Sequence, residues 1–265
     1  LLLNIEALIG MNITQFLLGL VRASGLIVTA PLFQSRSIPA KAKALLAGAL
    51  ALTVAPYIHS DLDLEAFSFW MAVATLIQEM IVGLIMGLMV NLTMYALQLA
   101  GYFFDVPMGF GMINILDPQS GTEIPLLGQF NAILAGLIYL AVDGHLTLIS
   151  SFIKSYDVIK PGSFFFHREA TGVFLKAFSN MFYLGFKIGI PVVGTIFLAD
   201  VALGIISKLI PQINVFVMGF SIKIVVGLTT LALFIQAYIF LIEQSFSSSG
   251  TTFRLLRMML RHLTG

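Results

Sequence analysis

At least five charged residues lie inside apolar stretches of the chain, among them Arg22, Glu79, Lys187, Asp200 and Lys223. A charged side chain in the middle of a membrane-crossing helix costs at least about 2.5–3.5 kcal/mol. Each must therefore pair, reach an interface, or face protein and water. Gln78-Glu79 is the best candidate for a buried polar cluster, matched with Arg22. The alternative is a pair that brackets a helix kink at a solvated depth. Asp143 and Asp200 suggest an intramembrane aspartyl pair, whose chemistry needs two carboxylates sharing one proton. A structural role suits them better. Asp143-Gly144-His145 has the form of a helix end with a turn, and Asp200 has lysines nearby in sequence for pairing. The histidines at 59, 145, 167 and 262 are too dispersed for a local metal motif. No H-E-x-x-H, G-x-S-x-G, P-loop or dinucleotide fingerprint occurs. The chain has no Cys, which excludes a thiol nucleophile and a thiolate cluster. No enzyme chemistry, cofactor or metal is expected.

The elements that hold these residues are set by composition. Of 265 residues, 58% are apolar and 10% charged, against about 45–50% and about 25% in soluble domains. With 14 basic and 13 acidic residues, a soluble domain of this length could not cover its surface. The expectation is an all-α, polytopic membrane protein. A net charge of +1 gives no basic surface for nucleic acid. The charge is uneven: residues 1–132 hold four basic and eight acidic residues, residues 133–265 ten and five. Leu1–Gly10 carries Glu6 and no basic residue, unlike a secretory signal, so the first apolar segment is expected to remain in the mature protein.

A spanning helix needs roughly 20 apolar residues. Residues 13–33 have the length but contain Arg22, and residues 44–58 give only about 22 Å of helix. Residues 66–104 would run roughly 58 Å unbroken, about twice one crossing. Residues 125–142 and 215–242 each fit one span, while 171–209 is overlong and interrupted by Pro191. These misfits predict long, kinked helical hairpins buried against other subunits. Two GxxxG matches, Gly83/Gly87 and Gly185/Gly189, are about as many as chance gives with 23 glycines.

Two linkers differ in character. Pro31–Pro39 is a rigid polar turn leading to Lys41 and Lys43. Asp105–Glu123 has an apolar middle: Met108, Phe110, Met112, Ile113, Ile115 and Leu116, with Gly109 and Gly111 between them. Irregular backbone at membrane depth is tolerated only when buried in protein or lining a cavity. The segment is then either a re-entrant packing loop or a soft plug in a pore. After Ser245 a Ser-rich link leads into a short amphipathic helix with Arg254, Arg257 and Arg261.

Several of these residues fall into an ordered pattern. Arg22-Ala23-Ser24-Gly25 runs into Ala30-Pro31-Leu32-Phe33, then Ile38-Pro39 and Lys43. Gln78-Glu79 is followed by Gly83 and Gly87, then Gly101, Asp105 and Met108-Gly109. Asp143-Gly144-His145 comes next, then Pro191, Asp200, Pro211-Gln212-Ile213-Asn214-Val215-Phe216 and Lys223. In this order and spacing, from about Ile13 to Glu243, the set resembles the FliR family of type III export-gate subunits. The resemblance implies a core subunit of the bacterial inner-membrane gate at the flagellar basal body, conducting unfolded flagellar proteins. It implies assembly with FliP and FliQ homologues into a conical helical hetero-oligomer, with FlhB associated and lipid around it. It implies a FliP-like part, 1–145, with a plug loop, 105–123. A C-terminal part with a FliQ-like hairpin follows, 146–244, and then a basic cytoplasmic tail, 245–265. In that loop, residues Met108–Ile113, Ile115 and Leu116 would form the pore plug. Virulence injectisomes share the pattern. The rival from another class is an ion-coupled transporter of a small solute, with Arg22, Glu79 and Asp200 as its midplane site.

Overall fold

A computed structural model describes residues 13–35, 37–58, 69–110, 125–212 and 214–264. Leu1–Gly10, His59, and Gly111, Met112, Ile113, Ile115 and Leu116 of the expected plug lie outside the described residues. The described residues form α1 (Ile13–Thr29), α2 (Ala40–Val54), a 3₁₀ turn (Ala55–Tyr57) and α3 (Phe69–Met108). Then come α4 (Leu126–Ala141), α5 (Gly144–Val158), α6 (Arg168–Leu209), α7 (Val215–Phe246) and α8 (Thr251–Arg261). No strand occurs among the described residues beyond one isolated bridge, Phe164 to Thr264.

The long stretches stay helical because little in them stops a helix. α3 runs 40 residues, about 60 Å, with its one proline, Pro107, in the last turn. Gly109 then ends it at a φ of 90°, the left-handed region that glycine enters without cost. The Phe110 N–H donates to the Asp105 carbonyl and the Gly109 N–H to that of Val106, each at 3.0 Å, the paired bonds of a Schellman stop. Asp105–Met108 is thus helical, and the loop begins at Gly109 rather than at Asp105. α6 is continuous over 42 residues and contains Pro191, so that proline does not interrupt it. Proline removes one backbone donor, and the rest of the helix carries the turn. α4 and α5 meet at a 67° bend, where Asp143 takes a φ of 53°. α3, α6 and the Val217–Arg261 run that contains most of α7 are long and apolar enough to cross a membrane. The bent α4–α5 pair makes a fourth if it counts as one span.

The chain packs as two units that interleave distant segments. The first comprises Leu1–Leu92, Asp143–Ala177 and Phe246–Gly265. Here α1 crosses α3 at backbone distance. A Cβ on Gly25 would sit 2.5 Å from the Met80 carbonyl oxygen, and one on Gly83 would strike the Arg22 carbonyl. Gly87 meets the Ala30 N–H in the same way, at 2.7 Å. The first GxxxG match therefore marks a true crossing, where small residues let backbones close up. α8 buries Phe253, Leu256, Met259 and Leu260 in this unit. Its end is held by the Phe165 N–H on the Leu263 carbonyl, 3.1 Å, and by His167 Nε2 against the Thr264 carbonyl, 2.7 Å.

The second unit comprises Thr93–Val142 and Phe178–Ser245. Gly185 and Gly189 of α6 lie against Ala96, Leu99 and Phe103 of α3, so the second GxxxG match is also a contact. Phe103 stacks on Phe186 with ring centres 4.5 Å apart. Thr195 and Thr230 join α6 to α7 hydroxyl to hydroxyl, 3.1 Å. Large apolar side chains nevertheless stay outside: Tyr183, Ile190, Phe197 and Leu198 on α6, Leu233 and Phe240 on α7.

Candidate functional site: a buried ion pair and the base of a loop

In the first unit, Arg22 on α1 is fully buried and meets Glu79 on α3, itself 1% exposed. The contact is bidentate: Nε donates to Oε2 at 2.7 Å and Nη2 to Oε1 at 2.9 Å. α5 completes the shell. Nη1 donates to Ser155 Oγ at 2.8 Å, and Nη2 also reaches the Ile159 carbonyl at 3.1 Å. The Ser155 hydroxyl donates its own hydrogen bond to the Phe152 carbonyl at 2.7 Å, leaving an oxygen lone pair for Arg22. The guanidinium lies over the Tyr156 ring, 3.7 Å from its centre, a cation–π contact strengthened by the dry surroundings. Such a pair is stable only because nearly every donor is used; removing one partner leaves a buried charge and costs about 3–5 kcal/mol. It joins three helices distant in sequence. Gln78, beside Glu79, does not enter this shell, and its buried Oε1 has no partner among the described residues.

In the second unit the end of α3 meets the start of α4. Asp105, in the last turn of α3, is 3% exposed. Its carboxylate accepts from the Leu127 N–H at 3.0 and 3.2 Å and from the Gly128 N–H at 3.2 Å. These donors are the free amides of the first turn of α4, where negative charge is favoured. The cap comes from 22 residues upstream because Pro125, at the N-cap position, makes no side-chain cap of its own. The near foot of the loop is seated on α7. Met108 is buried with its thioether against Gly227, and Gly109 lies on the Phe220 ring. Phe110 is half-buried.

Beside that foot lies a cavity of about 470 Å³, lined by Pro107, Met108, Gly109 and Phe220 and by the ion pair Lys223–Asp200. Lys223 Nζ stands 2.6 Å from Asp200 Oδ1, both side chains partly exposed. The partner of Asp200 is thus a lysine one helix away, not a sequence neighbour such as Lys208. Lys187 lies over the Tyr183 ring at 5.7 Å. Asp143 belongs to the first unit and Asp200 to the second, each with its own surroundings. The three residues of the transporter reading divide in the same way, with Arg22 and Glu79 spent on one another. Among the described residues no group of three or more His, Cys, Asp or Glu could hold a metal.

The sequence reading missed Ser155, Tyr156, Phe220 and Gly227, and the capping role of Asp105. No short-range signal marks them, since each acts on a residue of another helix. Only the polarity of Ser155 within an otherwise apolar helical face hints at a buried partner.

Comparison with known proteins fits this architecture. Residues 13–249 match the family described as Bacterial export proteins, family 1. The flagellar biosynthetic protein FliR of Bacillus subtilis (strain 168) is 36% identical over 242 residues, 90% of this chain and 93% of that one. Its counterpart in Escherichia coli (strain K12) is 30% identical, covering 80% of this chain and 81% of its own. That of Pectobacterium carotovorum is 31% identical, with 83% and 84% covered. With these relatives and three or four apolar helices long enough to span, this is a multi-pass inner-membrane protein of flagellar biosynthesis, and it belongs to the bacterial export proteins, family 1.

Proposed function

We propose that the chain is a core subunit of the flagellar type III export gate. It forms part of the inner-membrane conduit for unfolded flagellar proteins, and the loop beyond Met108 closes that conduit at rest. The observation that carries this reading is the Asp105 cap, which gives an apolar, glycine-containing loop one fixed base. A plug has to seal and to yield. Met112, Ile113, Ile115 and Leu116 seal by filling space and hold by no directional bonds, while Gly111 lets the backbone bend. The anchored base brings the loop back after each passage.

The chain performs no chemistry in this reading, and the energy for export comes from the proton motive force and an associated ATPase. Its partners are FliP and FliQ homologues, with FlhB alongside; residues 1–145 act as the FliP-like part and 146–244 as the part with the FliQ-like hairpin. The uncovered apolar side chains of α6 and α7 support this, since helices of 42 and 32 residues offer more surface than one bilayer crossing uses. Co-expression with FliP and FliQ homologues should yield a discrete, detergent-resistant complex. A lone chain that purifies as a stable monomer and ignores those partners would contradict the assembly.

A further inference from the structure

A second cavity, about 480 Å³, lies in the first unit between α5 and α8. Three cations line it: Lys154 from α5, Arg257 and Arg261 from α8. Asp143 is its one carboxylate. None of the four takes part in a salt bridge among the described residues, so the cavity keeps a net positive charge. Arg257 is held in place by its Nη1 donating to the Ser248 carbonyl at 3.0 Å. The hydroxyl of Ser150 adds a donor of the kind that surrounds a phosphate, while that of Ser151 is spent on the Thr147 carbonyl at 2.8 Å.

The walls decide which phosphate. Leu146 and Val158 line the same cavity and are 54% and 38% exposed. A soluble anion gains nothing from exposed apolar walls, whereas an amphiphile covers them. The position agrees. Ser248 lies just after the C-terminus of α7, where an apolar crossing helix gives way to a strongly amphipathic one. Basic residues at such a boundary attract anionic headgroups.

We infer that the α5–α8 cavity is a binding site for one anionic phospholipid. The phosphate lies among Lys154, Arg257 and Arg261, and the glycerol and upper acyl segments lie on Leu146 and Val158. Bound there, the lipid joins α8 to α5. Lipid contributes through charge as well as area, since each basic residue near the headgroup contributes a factor of about five.

The test uses the full chain in its detergent-solubilised membrane assembly, stripped of lipid and titrated with phosphatidylglycerol or phosphatidylcholine under native mass spectrometry. The unaltered protein should retain phosphatidylglycerol about tenfold more tightly. Lys154→Gln, Arg257→Gln and Arg261→Gln together should lower that affinity roughly a hundredfold. Arg254→Gln, on the same helix but outside the cavity, should leave it unchanged. Inorganic phosphate at the lipid's concentration should not displace it. Equal retention of the two lipids by the unaltered protein would overturn the proposal whether or not the variants assemble. Displacement by inorganic phosphate at the lipid's own affinity would overturn the lipid assignment.

Discussion

Asp105 holds the amides of Leu127 and Gly128, and through that contact the end of one helix becomes the cap of the next. One carboxylate thus ties the end of α3 to the start of α4. Loss of a capping side chain costs about 0.5–2 kcal/mol, and more where the amides are buried. Asp105→Ala should therefore speed hydrogen exchange at Leu127 and Gly128 while leaving exchange across the middle of α3 unchanged. Asp105→Asn, which keeps an acceptor, should fall between the two. Equal exchange in all three proteins would remove the cap from the account.

The Arg22–Glu79 pair predicts strong coupling. Arg22→Met or Glu79→Leu alone strands a buried charge, and each should lower stability by about 3–5 kcal/mol. The double variant removes both charges and should recover a large part of that loss. Thermal unfolding in detergent of the three variants completes the cycle. Additive losses would mean that the two side chains act independently despite their 2.7 Å contact.

Glycines separate into two groups by what surrounds them. Gly83→Ala places a methyl group on the Arg22 carbonyl and should destabilise by about 2 kcal/mol or more, within the range for overpacking. Gly48→Ala and Gly172→Ala meet open space within helices and should stabilise by about 0.5–1 kcal/mol. A neutral Gly83→Ala would mean that α1 and α3 are further apart than the structure has them.

The tail should face the cytoplasm. Arg254, Arg257 and Arg261 follow the last apolar helix with no acid among them, and basic residues near span ends favour that side. A reporter active only in the periplasm, fused after Gly265, should be silent. Strong activity would invert the orientation.

Length and polarity made the long helices legible, because 3.6-residue packing needs no partner to be guessed. Pro191 was misleading: a proline removes one donor, which a 42-residue helix survives. Arg22 and Glu79 stood out as charges that needed a solution, but the rest of that solution, Ser155, Tyr156 and the Ile159 carbonyl, lies more than 130 residues along the chain. Nothing local encodes such a distance. The Asp105–Glu123 segment read as one loop because Pro107 and Gly109 look like breakers; the helix absorbs Pro107 in its last turn and stops at Gly109. Met108, read as part of a plug, is at its own position a buried anchor against Gly227.

If the segment beyond Met108 seals a conduit, its removal must let small solutes through the membrane. Residues 111–116 are deleted, sparing Met108 and Gly109 so that the seat on α7 and the Asp105 cap remain. The assembled gate is then assayed for passage of small ions or metabolites across the membrane. A leak from a complex that assembles normally is the predicted result. A normal complex in a membrane that stays tight would show that this loop is packing and that the seal belongs to a partner subunit.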